Sequence, residues 1–249
     1  MKWRDFFQMK IPRFFLNQGL RIQDEIELDL ELSHRLSSVL RLEKGASLIL
    51  FNNDFFEYSA IITNITRKKV TIQILERHEK NVESPLQIHL GQVISKGEKM
   101  DFVIQKSTEL GVHRITPLFS ERSVVHLKQD RLDKKAEHWQ KVAMSAAEQC
   151  GRTLVPLVDT PKDLAEWVAE QKEKTCLVLD PNSRHPLAKT EVLSPLAVLI
   201  GPEGGLTNDE VQRAVIHGFK AVKLGPRILR TETAALALLA AIQAKAGDL

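Results

Sequence analysis

The chain is poor in cysteine and tyrosine, balanced in charge, and without a long hydrophobic run. Its two cysteines, Cys150 and Cys176, stand far apart and form no CxxC pair. That spacing gives neither a zinc site nor a disulfide framework, and two buried, reduced thiols are expected. His34 and His126 lack paired ligand spacing, so no metal is expected. The most apolar stretch, residues 234–242, is about half a membrane span long, so it reads as a buried helix and no membrane segment is expected. Residues 1–8 carry charges and aromatics but no apolar run or small-residue cleavage site, so no signal peptide is expected. Neither G-x-G-x-x-G nor G-K-[ST] occurs, which argues against a dinucleotide cofactor and a P-loop nucleotide hydrolase. Charge of one sign is scarce too. The net charge is +3; residues 1–84 hold 13 Lys and Arg against 12 Asp and Glu, and the remainder 22 against 20. This balance permits nucleic-acid binding without demanding it, and any basic patch must be made by folding.

What is present is patterned. The 249 residues suffice for two modest domains. The first third reads as β-rich, with strands at 47–51, 57–65 and 69–75, a turn at 52–54 and one short helix at 33–39. Short strands at this spacing suggest a small barrel. The basic run Arg67-Lys68-Lys69 lies between two strands, where a solvated hairpin end competes with RNA contact. Polar residues and a proline at 81–85 suggest a boundary.

From residue 86 the pattern becomes strand, helix, strand, helix. Strands are expected at 88–95, 115–119, 176–180, 197–200 and 221–224. Helices are expected at 98–110, 131–150, 161–172, 207–217 and 231–246. Met100, Val103, Ile104 and Ser107 share one face of the first, and Gly111 stops it. Trp139, Val142, Ala143, Ala146 and Cys150 form a stripe on the second. Thr160 should cap the third, with Pro161 at its first position. Thr207 and Glu210 should make a capping box on the fourth. The last is apolar nearly all round and needs a second packing partner. Alternation of this kind implies a parallel sheet covered on both faces.

Two loops carry the chemistry. Gly201-Pro202-Glu203-Gly204-Gly205 follows one buried strand, and Gly225-Pro226-Arg227-Ile228-Leu229-Arg230 follows another. Strand C-terminal ends face the ligand crevice in parallel sheets. Glycines there let main-chain N–H and C=O groups approach a ligand. An adenine edge, wanting one donor and one acceptor, suits such a wall.

Residues 200–206 (IGPEGGL), 224–234 (LGPRILRTETA), 106–111 (KSTELG) and 147–152 (AEQCGR) resemble motifs of the ribosomal RNA small subunit methyltransferase E family. Residues 11–15 (IPRFF) and 39–42 (VLRL) resemble its N-terminal signatures. The resemblance runs from about residue 9 to the end and implies an α/β fold. A PUA-like barrel over 9–83 would precede a trefoil-knotted SPOUT methyltransferase domain over 84–249, with 1–8 a dispensable extension. It implies S-adenosylmethionine as cofactor, a homodimer with its active sites at the interface, and a cytoplasmic enzyme. The product would be N3-methyluridine in helix 44 of 16S rRNA, made on the small subunit.

That resemblance implies cofactor contacts from Leu179, Ile200, Gly201, Pro202, Glu203 and Gly205. The second loop would add Leu224, Gly225, Leu229, Arg230, Thr231 and Thr233. Uridine N3 carries a proton and is a poor nucleophile until it leaves, so a base or an anion-stabilising group is needed. Arg230, Glu232 and Gln149 are the catalytic candidates, with Glu148, Arg152 and Glu109 near them. An ion pair of Arg230 with Glu232 or Glu203, and a structural ion pair of Glu109, are the plainer alternatives. RNA contacts would come from Arg13, Arg41, Arg122 and Arg152. Rival readings are a ribose 2′-O methyltransferase, disfavoured because no asparagine lies between Asn81 and Asn182, and a non-catalytic rRNA-binding assembly factor.

Overall fold

Strict alternation builds the first sheet. Tyr58, Ala60 and Ile62 point inward from β4 (Phe56–Ile65), and Val70, Ile72 and Ile74 from β5 (Val70–Glu79). These strands pair antiparallel with each other and with β3 (Ser47–Phe51) and β2 (Glu25–Glu27), while β1 (Arg13–Phe15) runs parallel to β3. The order is β1-β3-β4-β5-β2. In the computed structural model residues 11–123 and 129–249 are described; the expectations for residues 1–8 and His126 lie outside them. Two units result, Met1–Val82 with Gly151–Leu154 and Glu83–Cys150 with Val155–Leu249.

In the first unit the inward side chains join Phe14, Leu36, Leu48 and Leu50 in one core. The helix α1 (Leu30–His34) starts earlier than expected because the Asp29 carboxylate accepts the Leu32 N–H at 2.7 Å, and a π-helical turn (Arg35–Val39) continues it. The 52–54 turn is present, with Asn53 and Phe55 at φ +67° and +66°. Arg67-Lys68-Lys69 closes the β4–β5 hairpin, and Lys69 pairs with Glu27. Arg13 is not presented to solvent. It pairs with Glu57, donates to the Arg152 carbonyl at 2.9 Å and lies 5.2 Å from the Phe51 ring centroid. Arg152 is also buried. The expectation that these two arginines contact RNA thus falls on side chains that are mostly covered, Arg13 in its pairing with Glu57.

The second unit is a parallel sheet in the order β12-β10-β11-β6-β7-β8, with β9 also on β7. Its strands are β6 (Ile88–Val93), β7 (Arg114–Phe119), β8 (Leu157–Val158), β9 (Lys162–Asp163), β10 (Thr175–Leu179), β11 (Leu196–Ile200) and β12 (Lys220–Val222). β6 and β11 are buried at every residue, as a sheet covered on both faces requires. The helices are α2 (Lys99–Glu109), α3 (Gln129–Cys150), α4 (Leu164–Glu170), α5 (Asn208–Ile216) and α6 (Thr231–Ala246).

Met100, Val103, Ile104 and Ser107 form the buried face of α2, and Gly111, at φ +79°, stops it. A Cβ on Gly111 would come within 2.8 Å of Gln243 Nε2, which donates to the Leu110 carbonyl. That bond ties the end of α2 to α6. Trp139 Nε1 donates to Asp101 at 3.1 Å, tying α3 to α2. The capping box of α5 is present, with Thr207 and Glu210 reciprocally bonded. The helix expected over 161–172 is shorter. Lys162 and Asp163 instead pair with Leu118 and Phe119 of β7, and the Asp163 carboxylate caps α4 by accepting from Ala165 and Glu166. Strand pairing overrides the local Thr-Pro start signal. Neither cysteine is buried: Cys150 is exposed at the end of α3 and Cys176 is half-buried on β10. Among the described residues neither forms a disulfide.

Candidate functional site

β10, β11 and β12 are neighbours, with β10 in the middle, and run the same way. The loops leaving their C-terminal ends therefore converge. Between them lies a cavity of about 310 Å³. Its wall takes Leu179, Asp180, Pro181 and Asn182 from the end of β10, Ile200 to Leu206 from that of β11, and Leu224, Gly225, Arg227, Ile228 and Leu229 after β12. Thr231 and Ala234 of α6, Val211 of α5 and Arg122 complete it.

Glycine is required where the loops turn. Gly205 and Gly225 have φ +70° and +133°, conformations in which L side chains are strained. At Gly201 a Cβ would lie 2.9 Å from Leu206 Cγ and 3.1 Å from the Leu206 backbone nitrogen. The Thr231 hydroxyl donates to the Gly201 carbonyl at 2.7 Å, so the start of α6 is bonded directly to the first glycine loop. Arg122 Nη1 donates to the Gly204 carbonyl at 3.1 Å.

Charge organises the outer side. The Glu203 carboxylate accepts from Lys99 Nζ at 3.1 Å and from the Lys96 backbone N–H at 3.3 Å. Burial pushes its pKa up, but its own backbone N–H, Lys99 and the Lys96 N–H outweigh that and hold it below the usual carboxylate value. Lys99 Nζ also stands 3.9 Å from Glu232 Oε2, an oxygen that is buried and has no hydrogen-bond partner among the described residues.

Of the expected cofactor contacts, Leu179, Ile200, Gly201, Pro202, Glu203, Gly205, Leu224, Gly225, Leu229 and Thr231 line the cavity together. Arg230 and Thr233 do not; both are exposed. Arg230 is the N-cap residue of α6 with no side-chain cap bond, and among the described residues it forms no ion pair. Its two expected partners, Glu203 and Glu232, face Lys99 instead. Glu109 forms the plain ion pair, with Lys106 at 2.7 Å. Gln149 is exposed at the end of α3 and outside this cavity, and Glu148 is buried. Arg41, at φ +53°, and Arg122 are exposed. Outside the two glycine loops and Arg122, the lining residues missed were Asp180, Pro181 and Asn182 after β10, Val211 of α5 and Ala234 of α6; the first three were within reach of the sequence. They follow a buried strand, so the rule that located the glycine loops applies to them too.

Known proteins share this arrangement. Residues 82–243 match the RNA methyltransferase domain family and residues 36–75 the RNA methyltransferase PUA domain family. A ribosomal RNA small subunit methyltransferase E of Buchnera aphidicola is 42% identical over 242 residues, covering 96% of this chain and 98% of its own. That of Bacillus subtilis is 34% identical, covering 84% and 86%. A methyltransferase structure from Legionella pneumophila, solved with S-adenosylmethionine, superposes with TM-score 0.94 at 41% identity over 96% of this chain and all of that one (its coverage is 100%). The Neisseria gonorrhoeae ribosomal RNA small subunit methyltransferase E, also bound to S-adenosylmethionine, gives TM-score 0.90 at 37% identity over 96% and 100%. With matches of this extent across both units, the chain belongs to the ribosomal RNA small subunit methyltransferase E family.

Proposed function

We propose that this protein transfers a methyl group from S-adenosylmethionine to N3 of a specific uridine in helix 44 of 16S rRNA, on the small ribosomal subunit in the cytoplasm. The observation that carries the reading is the glycine-walled cavity at the ends of β10, β11 and β12. The cavity fits the cofactor on its own features. Its volume of about 310 Å³ is that of a small-molecule pocket. The close approach at Gly201 and the positive φ at Gly205 and Gly225 leave main-chain groups facing an adenine-sized ligand.

S-adenosylmethionine supplies an electrophilic methyl group on a sulfonium. The protein's residues do the rest, and in an in-line displacement that is mostly positioning. Leu179, Ile200, Leu224 and Leu229 give apolar walls for the adenine ring. Glu203, held by Lys99, keeps the first glycine loop in place. Arg230, at the start of α6 between two cavity-lining residues, stabilises the negative charge on the uracil oxygens as N3 loses its proton. Glu232, whose buried Oε2 has no hydrogen-bond partner among the described residues, is the candidate to take that proton. N3 lies on the pairing edge, so the base must be splayed out to react.

The protein acts as a homodimer in this reading, and Gln149, which does not reach its own cavity, serves the partner's. Arg41 and Arg122 contact RNA phosphates. The chain of the second unit passes through a trefoil knot, an exception to the rule that chains do not knot. The strand order β12-β10-β11, with the last strands on either side of β10, supports that threading.

The test is methyl transfer from labelled S-adenosylmethionine to purified small subunits, to naked 16S rRNA and to a short single-stranded oligonucleotide. Small subunits from cells lacking this enzyme should be methylated well and naked rRNA poorly. Equal rates on the oligonucleotide would contradict a substrate shaped by the ribosome.

A further inference from the structure

A glutamine sits where the core should be apolar. Gln92 is the fifth residue of β6, a strand buried at all six positions, and is itself 0% exposed. It lies beside Ile200, the last residue of β11 before the first glycine loop. Its Nε2 donates to the Val93 carbonyl at 2.9 Å and to the Thr231 hydroxyl at 3.0 Å. Its Oε1 is buried and has no hydrogen-bond partner among the described residues. An apolar side chain would avoid leaving that oxygen unsatisfied.

The direction of the bonds explains the residue. The Thr231 hydroxyl has one proton and gives it to the Gly201 carbonyl at 2.7 Å. It can then only accept from the other side, and the Gln92 amide supplies the N–H. A one-way relay runs from Gln92 through Thr231 to Gly201. It bonds β6 to the start of α6 and α6 to the first glycine loop, so it sets the separation of two cavity walls. It also turns the Gly201 carbonyl toward Thr231. Gln92 does not line the cavity.

We infer that Gln92 is a positioning residue for the methyl donor: through Thr231 it holds the Gly201 wall at the spacing that S-adenosylmethionine requires. This rests on the cofactor site proposed above. The alternative is a purely structural polar bridge that leaves affinity untouched.

Calorimetric titration of S-adenosylmethionine into the full-length protein separates these. Gln92→Leu should weaken Kd by about tenfold, the loss expected for one hydrogen bond. Thr231→Val should do the same, the double variant should lose little more than either alone, and Thr231→Ser should bind nearly as the wild type. If Gln92→Leu does not fold, Gln92→Glu decides. A protonated carboxyl can donate to Thr231 and an ionised one cannot, and burial moves its ionisation up toward neutral pH. Its affinity relative to the wild type at the same pH should therefore fall as pH rises. Wild-type affinity in folded Gln92→Leu, or a pH-independent ratio in Gln92→Glu, would overturn the inference while leaving the cofactor site standing. Failure of the wild type to bind S-adenosylmethionine at all would overturn both.

Discussion

Arg230 is the residue on which the proposed chemistry turns. It is exposed, forms no ion pair among the described residues, and caps α6 through its backbone only. Removing its side chain therefore should cost the fold little and the cofactor cavity little. Arg230→Ala is expected to lower turnover on the order of 10²-fold, as for loss of one preorganised donor, with S-adenosylmethionine affinity near the wild type. Arg230→Lys should recover little because an ammonium lacks the planar fork. Steady-state kinetics alongside calorimetry checks both; lost cofactor binding would make Arg230 a pocket residue, and normal turnover a bystander. Single residues also mark where sequence reading stops. The glycine loops were legible because Gly-Pro-x-Gly-Gly after a buried strand has a backbone meaning. The burial of Arg13 was not, because Glu57 and the Arg152 carbonyl reach it only in the folded chain. Gln92 was not either, since nothing local distinguishes a buried glutamine in a strand from an exposed one.

Elements divide by length and partner. α3 was readable from periodicity, α6 and β3 from their apolar runs, and α5 from its capping box, because those signals are local. β1, β2 and β9 have two or three residues each and exist only through pairing with strands elsewhere in the chain. β6 also carries a buried titratable group. His89 Nε2 lies 2.7 Å from the Thr116 hydroxyl and accepts from Trp167 Nε1 at 3.3 Å, with Asp159 and Glu173 within 3.8 Å and 3.6 Å of the ring. Burial first, and then the charge of Arg114, hold its pKa below 6.5 against the pull of those carboxylates. The folded state thus prefers neutral His89, and as pH falls the unfolded chain takes up that proton first. The stabilisation is present above about pH 6.5 and is lost as pH falls from there through the lower folded-state value. Denaturant titrations should show the wild type losing more stability than His89→Gln between about pH 7.5 and about pH 5.5. Parallel losses would remove His89 from the account. α6 makes a second prediction. Ala235, Leu238, Leu239 and Ile242 are buried in its own unit, while Leu236, Ala237 and Ala240 form an apolar, half-exposed stripe. If that stripe meets a second copy, Ala240→Arg should yield folded monomers by light scattering and abolish activity. A wild-type protein that is monomeric at working concentration would refute the dimer.

At the scale of the whole molecule, the order of the second sheet is what makes an enzyme possible. Because β10 lies between β11 and β12, three loops from separate parts of the chain meet at one end of the sheet and enclose a cavity that no single motif defines. Alternation of strands and helices predicted a parallel sheet, but strand order is not local information, so nothing in the chain said which strand ends would meet at one cavity. The first unit, matching a PUA domain over residues 36–75, adds a second surface for RNA in the proposed function. The central claim is the product, and it is read most directly by mass mapping of 16S rRNA from cells lacking the gene, cells regaining it, and cells given Arg230→Ala. N3-methyluridine in helix 44 should vanish, return with the intact gene, and stay absent or strongly reduced with the variant. An unchanged modification in cells without the gene, or its return on another atom or another nucleotide, would contradict the account.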